Sequence, residues 1–377
     1  MAQGFNPDQY EPGTHPDLPP PPNSSGVVGW AKANLFSSPL NIALTLLALW
    51  FLWQILPPSI HWLFSGAVWA AADRKECWAL MEAPRDGACW AFIRGSLELF
   101  LYGWYPEPER WRVDLTFVLF AAAVFGALRE NIPGKKYWLI FAVAFPFIAA
   151  WLLFGGFGLE AIPTNKLGGI LLTLVVAVTG ISFSLPIGVA LALGRRSRLP
   201  VLRALCVIFI EFIRGVPLIT LLFVASTMLT YFLPPGSTFD LLIRVLIMVT
   251  LFAAAYIAEV VRGGLQGLSA GQYEAADSLG LTYWQAHRLV ILPQALKISI
   301  PGIVNTFIGS YKDSVLVLII GMMDILGLGR ARLNDPEWLG LAPELYIFIS
   351  LFFFISCFAM SRYSLSLERK LETGHKS

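Results

Sequence analysis

The sequence predicts an all-α polytopic membrane protein with about eight transmembrane helices. Apolar residues make up 56% of the chain and charged residues only 14%, whereas an average soluble domain carries about 25% charged residues. Apolar segments of the length that crosses a bilayer, about 20 residues, recur along the chain and are separated by short polar turns. This composition excludes a soluble protein, and no basic stripe interleaved with aromatic residues indicates binding to nucleic acid.

The first 166 residues are predicted to form a tail and an extension with three spans. Residues 1–38 are proline-rich and polar, so we expect a disordered cytoplasmic tail without a cleavable signal peptide. The spans of the extension, 39–166, are predicted at 40–56, 114–128 and 137–154. Pro57 and Pro58 are expected to end the first span, because proline lacks the N–H that a helix requires. A long periplasmic loop, 57–113, then follows and packs as short helices on the membrane surface.

Five further spans are predicted between residues 167 and 368, before a charged cytoplasmic tail at 369–377. They lie at 168–193, 204–231, 241–261, 300–321 and 343–361. Lysine and arginine concentrate in the turns of one side, at Arg129, Lys135, Lys136, Arg195, Arg196, Arg198 and Arg203. The short loops of the other side hold Lys166, Arg330 and Arg332. Because positive charge favours the cytoplasmic side, both termini and the polar loop after the sixth span are predicted to be cytoplasmic.

That polar loop, 263–299, contains the stretch 269–296, which is predicted to form two short helices with a joint. Ser269 and Thr282 are each followed three residues later by glutamine, which fits the capping box that begins a helix. Gly280 lies where a C-terminal glycine cap would end the first helix. Pro293 is expected to stop the second helix.

The same stretch resembles the signature loop of permease subunits of ATP-binding-cassette importers. The matching residues are Glu274, Ala275, Ala276, Gly280, Val290, Leu292 and Pro293, with valine where the family pattern has isoleucine. The resemblance implies a coupling helix that docks in a groove on a cytoplasmic ATPase. Small alanine and glycine side chains suit this role, since they allow a partner to approach closely. An ordinary hairpin between two membrane helices is the alternative.

Two pairs of ionisable residues lie at membrane depth, where charge is costly and often functional. Glu211 and Arg214, in the run Glu-x-x-Arg-Gly-x-Pro, are spaced to share one helical face and neutralise each other. The glycine of that run and Pro217 are expected to loosen the helix. Glu259 and Arg262 repeat the spacing in Ala-Glu-x-x-Arg-Gly-Gly. Both runs resemble polar amino-acid permeases, and we interpret the residues as gate or structural ion pairs.

A third group consists of Lys312 and Asp313, with Asn305 two turns earlier. At about 1.5 Å per residue, Lys312 lies roughly 18 Å into the seventh span, near the bilayer centre. An ammonium and a carboxylate are complementary to the two charged groups of a free amino acid, so these residues are candidates for the substrate pathway. Alternatively, they pair with neighbours or with a partner subunit and only stabilise assembly.

Cysteine, histidine and glycine patterns indicate no catalytic constellation and no metal site. Cys77 and Cys89 lie in the long loop and form a disulfide if that loop faces an oxidising periplasm. Cys206 and Cys357 fall in apolar segments and are interpreted as packing residues. The chain has no phosphate-binding loop of the pattern Gly-x₄-Gly-Lys-Ser/Thr, so ATP hydrolysis is expected in another subunit.

The importer resemblance covers 167–368, and the segments 87–93 and 105–114 resemble a permease of the general L-amino-acid importer of Gram-negative bacteria. It implies a type I importer core formed by the last five spans in the bacterial inner membrane. It also implies a second similar permease, two copies of a cytoplasmic ATPase that bind ATP and Mg, and a periplasmic amino-acid-binding protein. The function implied is import of L-amino acids by alternating access. An ion-coupled secondary transporter is the main alternative, and its uptake would depend on an ion gradient instead of ATP; a channel or a structural subunit is a third.

Overall fold

The computed structural model describes residues 26–129, 131–232, 234 and 239–372, and every regular element in these ranges is helical. Among these residues, seven helices are long and apolar enough to cross a membrane, and a bent helix pair makes an eighth. The predicted fold class is therefore confirmed. Residues 1–25 of the predicted disordered tail lie outside the described residues. The end of that tail is corrected, because α1 (Gly26–Asn34) is a helix.

The chain divides into two compact units, of which the first comprises residues 1–68 and 78–88. Its main element is α2 (Pro39–Ile60), which begins at Ser38, whose Oγ accepts a hydrogen bond from the Asn41 N–H at 3.2 Å. Pro57 and Pro58 do not end this helix, contrary to the prediction. A π-helical turn, His61–Ser65, continues it. A proline lacks the N–H but keeps its carbonyl, and the His61 N–H donates to the Pro57 and Pro58 carbonyls, so the chain stays helical beyond the prolines.

The second unit comprises residues 69–77 and 89–377. The loop predicted at 57–113 is shorter than expected, because helices extend into it at both ends, and the rest of it contains several short helices. Its helices are α3 (Arg74–Ala79), α4 (Trp90–Gly95) and α5 (Leu97–Tyr102), and the next spans are α6 (Arg110–Leu128) and α7 (Lys135–Phe154). Helix α6 begins early because the buried Arg112 is neutralised by Glu109 at 2.6 Å and bonds the Glu160 carbonyl at 2.8 Å.

The rest of this unit is the predicted importer core. Its helices are α8 (Gly169–Arg195), α9 (Pro200–Gly215), α10 (Leu218–Phe223), α11 (Leu241–Gln266), α12 (Ala270–Ser278), α13 (Tyr283–Ala286), α14 (Leu292–Asp313), α15 (Ile325–Leu333) and α16 (Ala342–Glu372). Helices α8 and α11 pack along each other at the centre and are the most buried spans. Gly188 makes this closeness possible, since a Cβ there would lie 2.6 Å from the Ile257 side chain. Helix α16 continues to Glu372, so the predicted tail 369–377 begins later; residues 373–377 lie outside the described residues.

The predicted span 204–231 is broken. Helix α9 and the following segment, α10 with the π turn Val224–Met228, meet at an angle of 103°. Pro217 disfavours helical backbone at Val216, which is extended with φ −108° and ψ 133°. The buried Arg244 of α11 donates to the Ala225 and Ser226 carbonyls at 3.0 and 2.8 Å. The loosening expected from the sequence is thus a complete break.

Helix α15 was not expected from the sequence. It packs against the start of α8. It begins at Asp324, which is fully buried and whose Oδ1 accepts from the Gly327 N–H at 2.8 Å. The Met323 carbonyl accepts from the Gly169 N–H at 3.0 Å. Burial raises the pKa of the Asp324 carboxyl to about 6, although backbone N–H groups at the helix start oppose the shift.

Candidate coupling site

The first arm of the polar stretch, α12, ends at the glycine that the sequence singled out. Gly280 has a φ of +71°, in the left-handed region that favours glycine. Its N–H donates to the Asp277 carbonyl at 2.9 Å, and the Leu281 N–H donates to the Ala276 carbonyl at 3.2 Å. These two bonds form a Schellman motif, which ends the helix and turns the chain.

The start of α12 differs from the prediction. Ser269 occupies the N-cap position, but its side chain makes no capping hydrogen bond. The Gln272 side chain instead accepts from the Gln294 amide at 2.9 Å, across to α14. The predicted capping box at Ser269 is therefore wrong, because its glutamine bonds between helices.

The second arm begins with the capping box that the sequence predicted, and its helix continues past the expected end. The Gln285 N–H donates to Thr282 Oγ1 at 3.4 Å, and Gln285 Oε1 accepts from the Thr282 N–H at 2.9 Å. The prediction that Pro293 ends this helix is wrong. The π turn His287–Ile291 shifts the bonding by one residue, so that Tyr283–Ile320 is one continuous span of 38 residues.

The seven signature residues divide between the protein interior and its surface. Ala276 is buried, and Val290 and Leu292 pack on the cluster around Ile257 and Val261 in α11. The exposed members of the signature are Glu274, Ala275, Gly280 and Pro293. The first group holds the stretch on the membrane helices, and the second remains accessible to a partner.

The exposed side of the polar stretch also carries large apolar side chains that were not expected there from the sequence. Trp284 is 71% exposed and Leu279 is 77% exposed, on either side of Gly280. Exposed aromatic and aliphatic side chains beside a charged residue are typical anchors of protein interfaces. The Glu274 carboxylate forms no ion pair within the described part of the chain. No local sequence signal separated Leu279 and Trp284 from buried apolar residues, so the sequence did not mark them as anchors.

Tyr273 ties α12 to the ends of two membrane helices. Its hydroxyl donates to the Leu265 carbonyl of α11 at 3.1 Å and accepts from Arg196, which follows α8, also at 3.1 Å. The Arg196 guanidinium lies 5.6 Å from the centre of the Tyr273 ring, within the range of a cation–π contact. A displacement of α12 therefore acts directly on α8 and α11.

The four predicted gate residues join one network centred on Glu259, together with Arg195 of α8. The Glu259 carboxylate accepts from Arg195 at 2.7 Å and from Arg262 at 2.8 Å, and Arg214 lies at 3.6 Å. Its side chain is 15% exposed. The network joins the ends of α8, α9 and α11 on the side of the polar stretch.

The predicted pairing within Glu211 and Arg214 is wrong. Glu211 accepts from Arg195 at 2.8 Å, whereas Arg214 approaches Glu259 and stacks 5.5 Å from the Tyr256 ring centre. Both side chains find partners on neighbouring helices, because these helix ends bring opposite charges closer than one turn of α9 does. The Glu259–Arg262 pair has the predicted i, i+3 spacing.

The substrate-pathway candidates lie at the end of α14. Asn305 and Lys312 are seven residues apart, which places them on one helical face, and both are exposed. Asp313 is half-buried. Within the described residues, neither Lys312 nor Asp313 forms an ion pair. Their charges therefore remain available to a ligand or to another subunit.

Cys77 and Cys89 are joined by a disulfide, with a Cα–Cα distance of 6.0 Å. The Cys89 N–H donates to Glu344 Oε1 at the start of α16 at 3.1 Å, and the Arg74 N–H donates to the Glu337 carbonyl at 2.9 Å. The disulfide thus fixes short helices on the end of α16 opposite the polar stretch. No group of three or more metal-ligating side chains is assembled among the residues that the structure describes.

Known proteins match this chain over most of its length. The family model described as "Binding-protein-dependent transport system inner membrane component" matches residues 184–373. The inner membrane amino-acid ABC transporter permease protein YhdY of Escherichia coli is 47% identical over 363 residues, or 96% of this chain and 97% of that protein. The glutamate/glutamine/aspartate/asparagine transport system permease protein BztC of Rhodobacter capsulatus is 43% identical over 422 residues, covering 95% of this chain and 96% of that protein.

A shorter relative matches about half of the chain. The probable glutamine ABC transporter permease protein GlnM of Bacillus subtilis is 35% identical over 205 residues, or 54% of this chain and 91% of that protein. Because a family model covers half of the chain and two relatives match it almost end to end, the chain belongs to the family of inner membrane components of binding-protein-dependent transport systems.

Proposed function

We propose that this chain is the permease subunit of an ATP-driven importer that moves L-amino acids from the periplasm to the cytoplasm. Family membership makes it a multi-pass transport permease of the inner membrane. The amino-acid substrate is inferred from the relatives YhdY and BztC, both of which are named as amino-acid transport permeases, and the ion-coupled alternative has no support among them. The subunit itself is not an enzyme in this proposal; a partner ATPase binds ATP and Mg.

The observation that carries the proposal is the construction of the polar stretch. It presents Glu274, Leu279 and Trp284 to solvent on a base whose other side chains pack on α11. Tyr273 connects it to α8 and α11, and the π turn makes it continuous with α14. A surface with these anchors fits a groove on a cytoplasmic ATPase, and its rigid connections pass ATPase motion to three spans.

In the proposed assembly, this chain pairs with a second similar permease and binds two ATPase copies and a periplasmic binding protein. Both termini lie in the cytoplasm. The network around Glu259 holds the cytoplasmic ends of α8, α9 and α11 in one arrangement, and ATP-driven closure changes it. Lys312, Asp313 and Asn305 line the route taken by the amino acid.

Co-purification from the native membrane tests the coupling role. The wild-type protein is expected to bring down an ATPase and a second permease, whereas Glu274→Arg and Trp284→Ala lose the ATPase and keep the permease. Glu82→Arg is the matched control, because Glu82 is exposed and lies far along the chain from the polar stretch. If the ATPase stays bound to both variants, the stretch is not the coupling site.

Reconstituted transport tests the energy source and the pathway residues. With the binding protein and the ATPase present, uptake is expected to require ATP and to persist with a protonophore; uptake that follows an ion gradient contradicts the proposal. Lys312→Met is expected to abolish uptake while the complex still assembles. Lys297→Met, an exposed lysine nearer the start of α14, is the control. Loss of assembly in Lys312→Met supports the structural alternative for that residue.

A further inference from the structure

An apolar cavity lies within the second unit, between the extension helices α6 and α7 and the core helices α8 and α11. Its volume is about 260 Å³, and each of the four helices contributes lining, for example Phe120, Ala150, Val178 and Leu246. Ala150 is exposed, so the cavity opens toward the surface of the helix bundle. This surface is made of spans, so the opening faces lipid and not water.

The cavity continues into a groove on α7. What we call the α7 groove is an open surface formed by α7 alone, with Lys136, Leu139, Ile140, Val143, Ala144 and Phe147 along it. Phe147 also lines the cavity, so the two form one track along the helix. The distance from Lys136 to Phe147 is eleven residues, or about 16 Å. That length matches the depth of one bilayer leaflet, which is half of a hydrocarbon core of about 30 Å.

The charge at the end of the track is unpaired within the described residues. Neighbouring Lys135 is fully used, because its ammonium donates to the carbonyls of Gly126, Ala127 and Arg129 at 2.7 to 3.0 Å and caps α6. The Lys136 side chain is exposed and forms no hydrogen bond or ion pair in the described structure. A cation at the interface above an apolar track of leaflet length is complementary to an anionic phospholipid.

The cavity offers few polar groups that would hold water in place of an acyl chain. Its lining contains two polar side chains, Thr116 and Thr179, and the Thr116 hydroxyl already donates to the Arg112 carbonyl at 2.7 Å. A buried water needs two to four polar partners, and an empty cavity forfeits packing energy. A flexible hydrocarbon chain needs no polar partners and restores the lost packing contacts.

We propose that the α7 groove and the adjoining cavity bind one anionic phospholipid, with its phosphate at Lys136 and an acyl chain that runs along α7 into the cavity. The lipid fills the space between the extension and the core and stabilises their packing. This site does not depend on the proposed transport function, since it rests only on the second unit and the surrounding bilayer.

Lipid analysis of the complex purified from its native membrane tests the proposal. After extensive detergent washing, the wild type is expected to retain an anionic phospholipid, measured by mass spectrometry of the extracted lipid. Lys136→Gln is expected to lower the retained anionic phospholipid roughly fivefold, the effect of one interfacial lysine. Lys297→Gln, at another helix, is the control for the loss of a positive charge. Equal retention in both variants overturns the assignment of the phosphate.

A second pair of variants tests the cavity. Ala150→Phe fills it and is expected to expel the lipid, whereas Ala121→Phe adds the same ring to an exposed position of α6 outside the lining and retains it. A photo-crosslinking residue at Val143 identifies the occupant directly. A crosslink to lipid supports the proposal, whereas a crosslink to another polypeptide, or no retained lipid in the wild type, overturns it.

Discussion

Replacing Glu259 by glutamine tests whether the charge network stabilises the fold. The change keeps the size of the side chain and removes the charge that Arg195, Arg262 and Arg214 share at 2.7, 2.8 and 3.6 Å. Only Glu211, bonded to Arg195, then remains as an acidic partner in the network. Three guanidinium groups are left close together with one carboxylate.

The expected loss follows from the contacts and from their exposure. Two unit charges about 4 Å apart attract by about 4 kcal/mol at an effective dielectric constant of 20. Removing one partner of a fully buried pair costs about 3–5 kcal/mol. Here the side chains around Glu259 are 21–34% exposed, and solvent screens them. We therefore expect Glu259→Gln to lower the free energy of unfolding by roughly 2 kcal/mol.

Heat-induced unfolding of the purified protein, followed by tryptophan fluorescence, measures this loss. Glu98→Gln is the matched control, because Glu98 pairs with Arg110 at 3.1 Å but is 78% exposed. Such a pair contributes about 0–1 kcal/mol. The double variant Arg195→Gln/Glu259→Gln is expected to lose less than the sum of its single variants, since the two residues interact. The reasoning is refuted if Glu259→Gln costs no more than Glu98→Gln, or if the double variant is additive.

Three further predictions concern single features. Cys77→Ser is expected to lower the free energy of unfolding by about 3 kcal/mol, as for a disulfide closing a loop of this length; Cys89→Ser must give the same loss in chemical unfolding. Burial raises the pKa of Asp324 to about 6. The folded protein therefore keeps this carboxyl protonated at pH values at which an aspartate of the unfolded chain is ionised. Stability is therefore expected to fall by roughly 3 kcal/mol as the pH rises from about 4 to 6, and Asp324→Asn, which preserves the helix cap, is expected to lack that fall in pH-dependent melting curves. Arg244→Met is expected to cost roughly 2–3 kcal/mol in thermal unfolding, because the buried Ala225 carbonyl and the part-buried Ser226 carbonyl lose their donor; a melting temperature equal to the wild type contradicts this.

The features that the sequence predicted correctly are local. The capping box at Thr282 and the helix end at Gly280 depend on residues within one turn, and the apolar spans depend on composition. Glu274, Ala275 and Gly280 were singled out by the family resemblance; they are exposed on the polar stretch, and their role in coupling stays a prediction. The exposed Trp284 was missed because a tryptophan in an apolar chain carries no sign of exposure until the fold is known.

The failures arise where a distant or compensating interaction decides the outcome. Pro57 and Pro293 were expected to end their helices. The Pro57 carbonyl still accepts from the His61 N–H, and the π turn before Pro293 shifts the bonding by one residue, which sequence rules for proline do not include. Glu211 and Arg214 have the spacing of an intrahelical pair, yet both bond to neighbouring helices. Spacing along one helix cannot show that packing brings a partner from another helix nearer than the residue three positions away.

The continuity of Tyr283–Ile320 makes this segment a lever. From Tyr283 to Lys312 it spans 29 residues, or about 43 Å. A tilt of about 5° at the Gly280 joint therefore moves the far end by about 4 Å, roughly the width of a carboxylate. In the proposed assembly, small rotations of the ATPase would therefore be amplified at Lys312. A glycine pair inserted after Pro293 would turn this lever into a hinge, and the same rotation would then be absorbed before it reached Lys312.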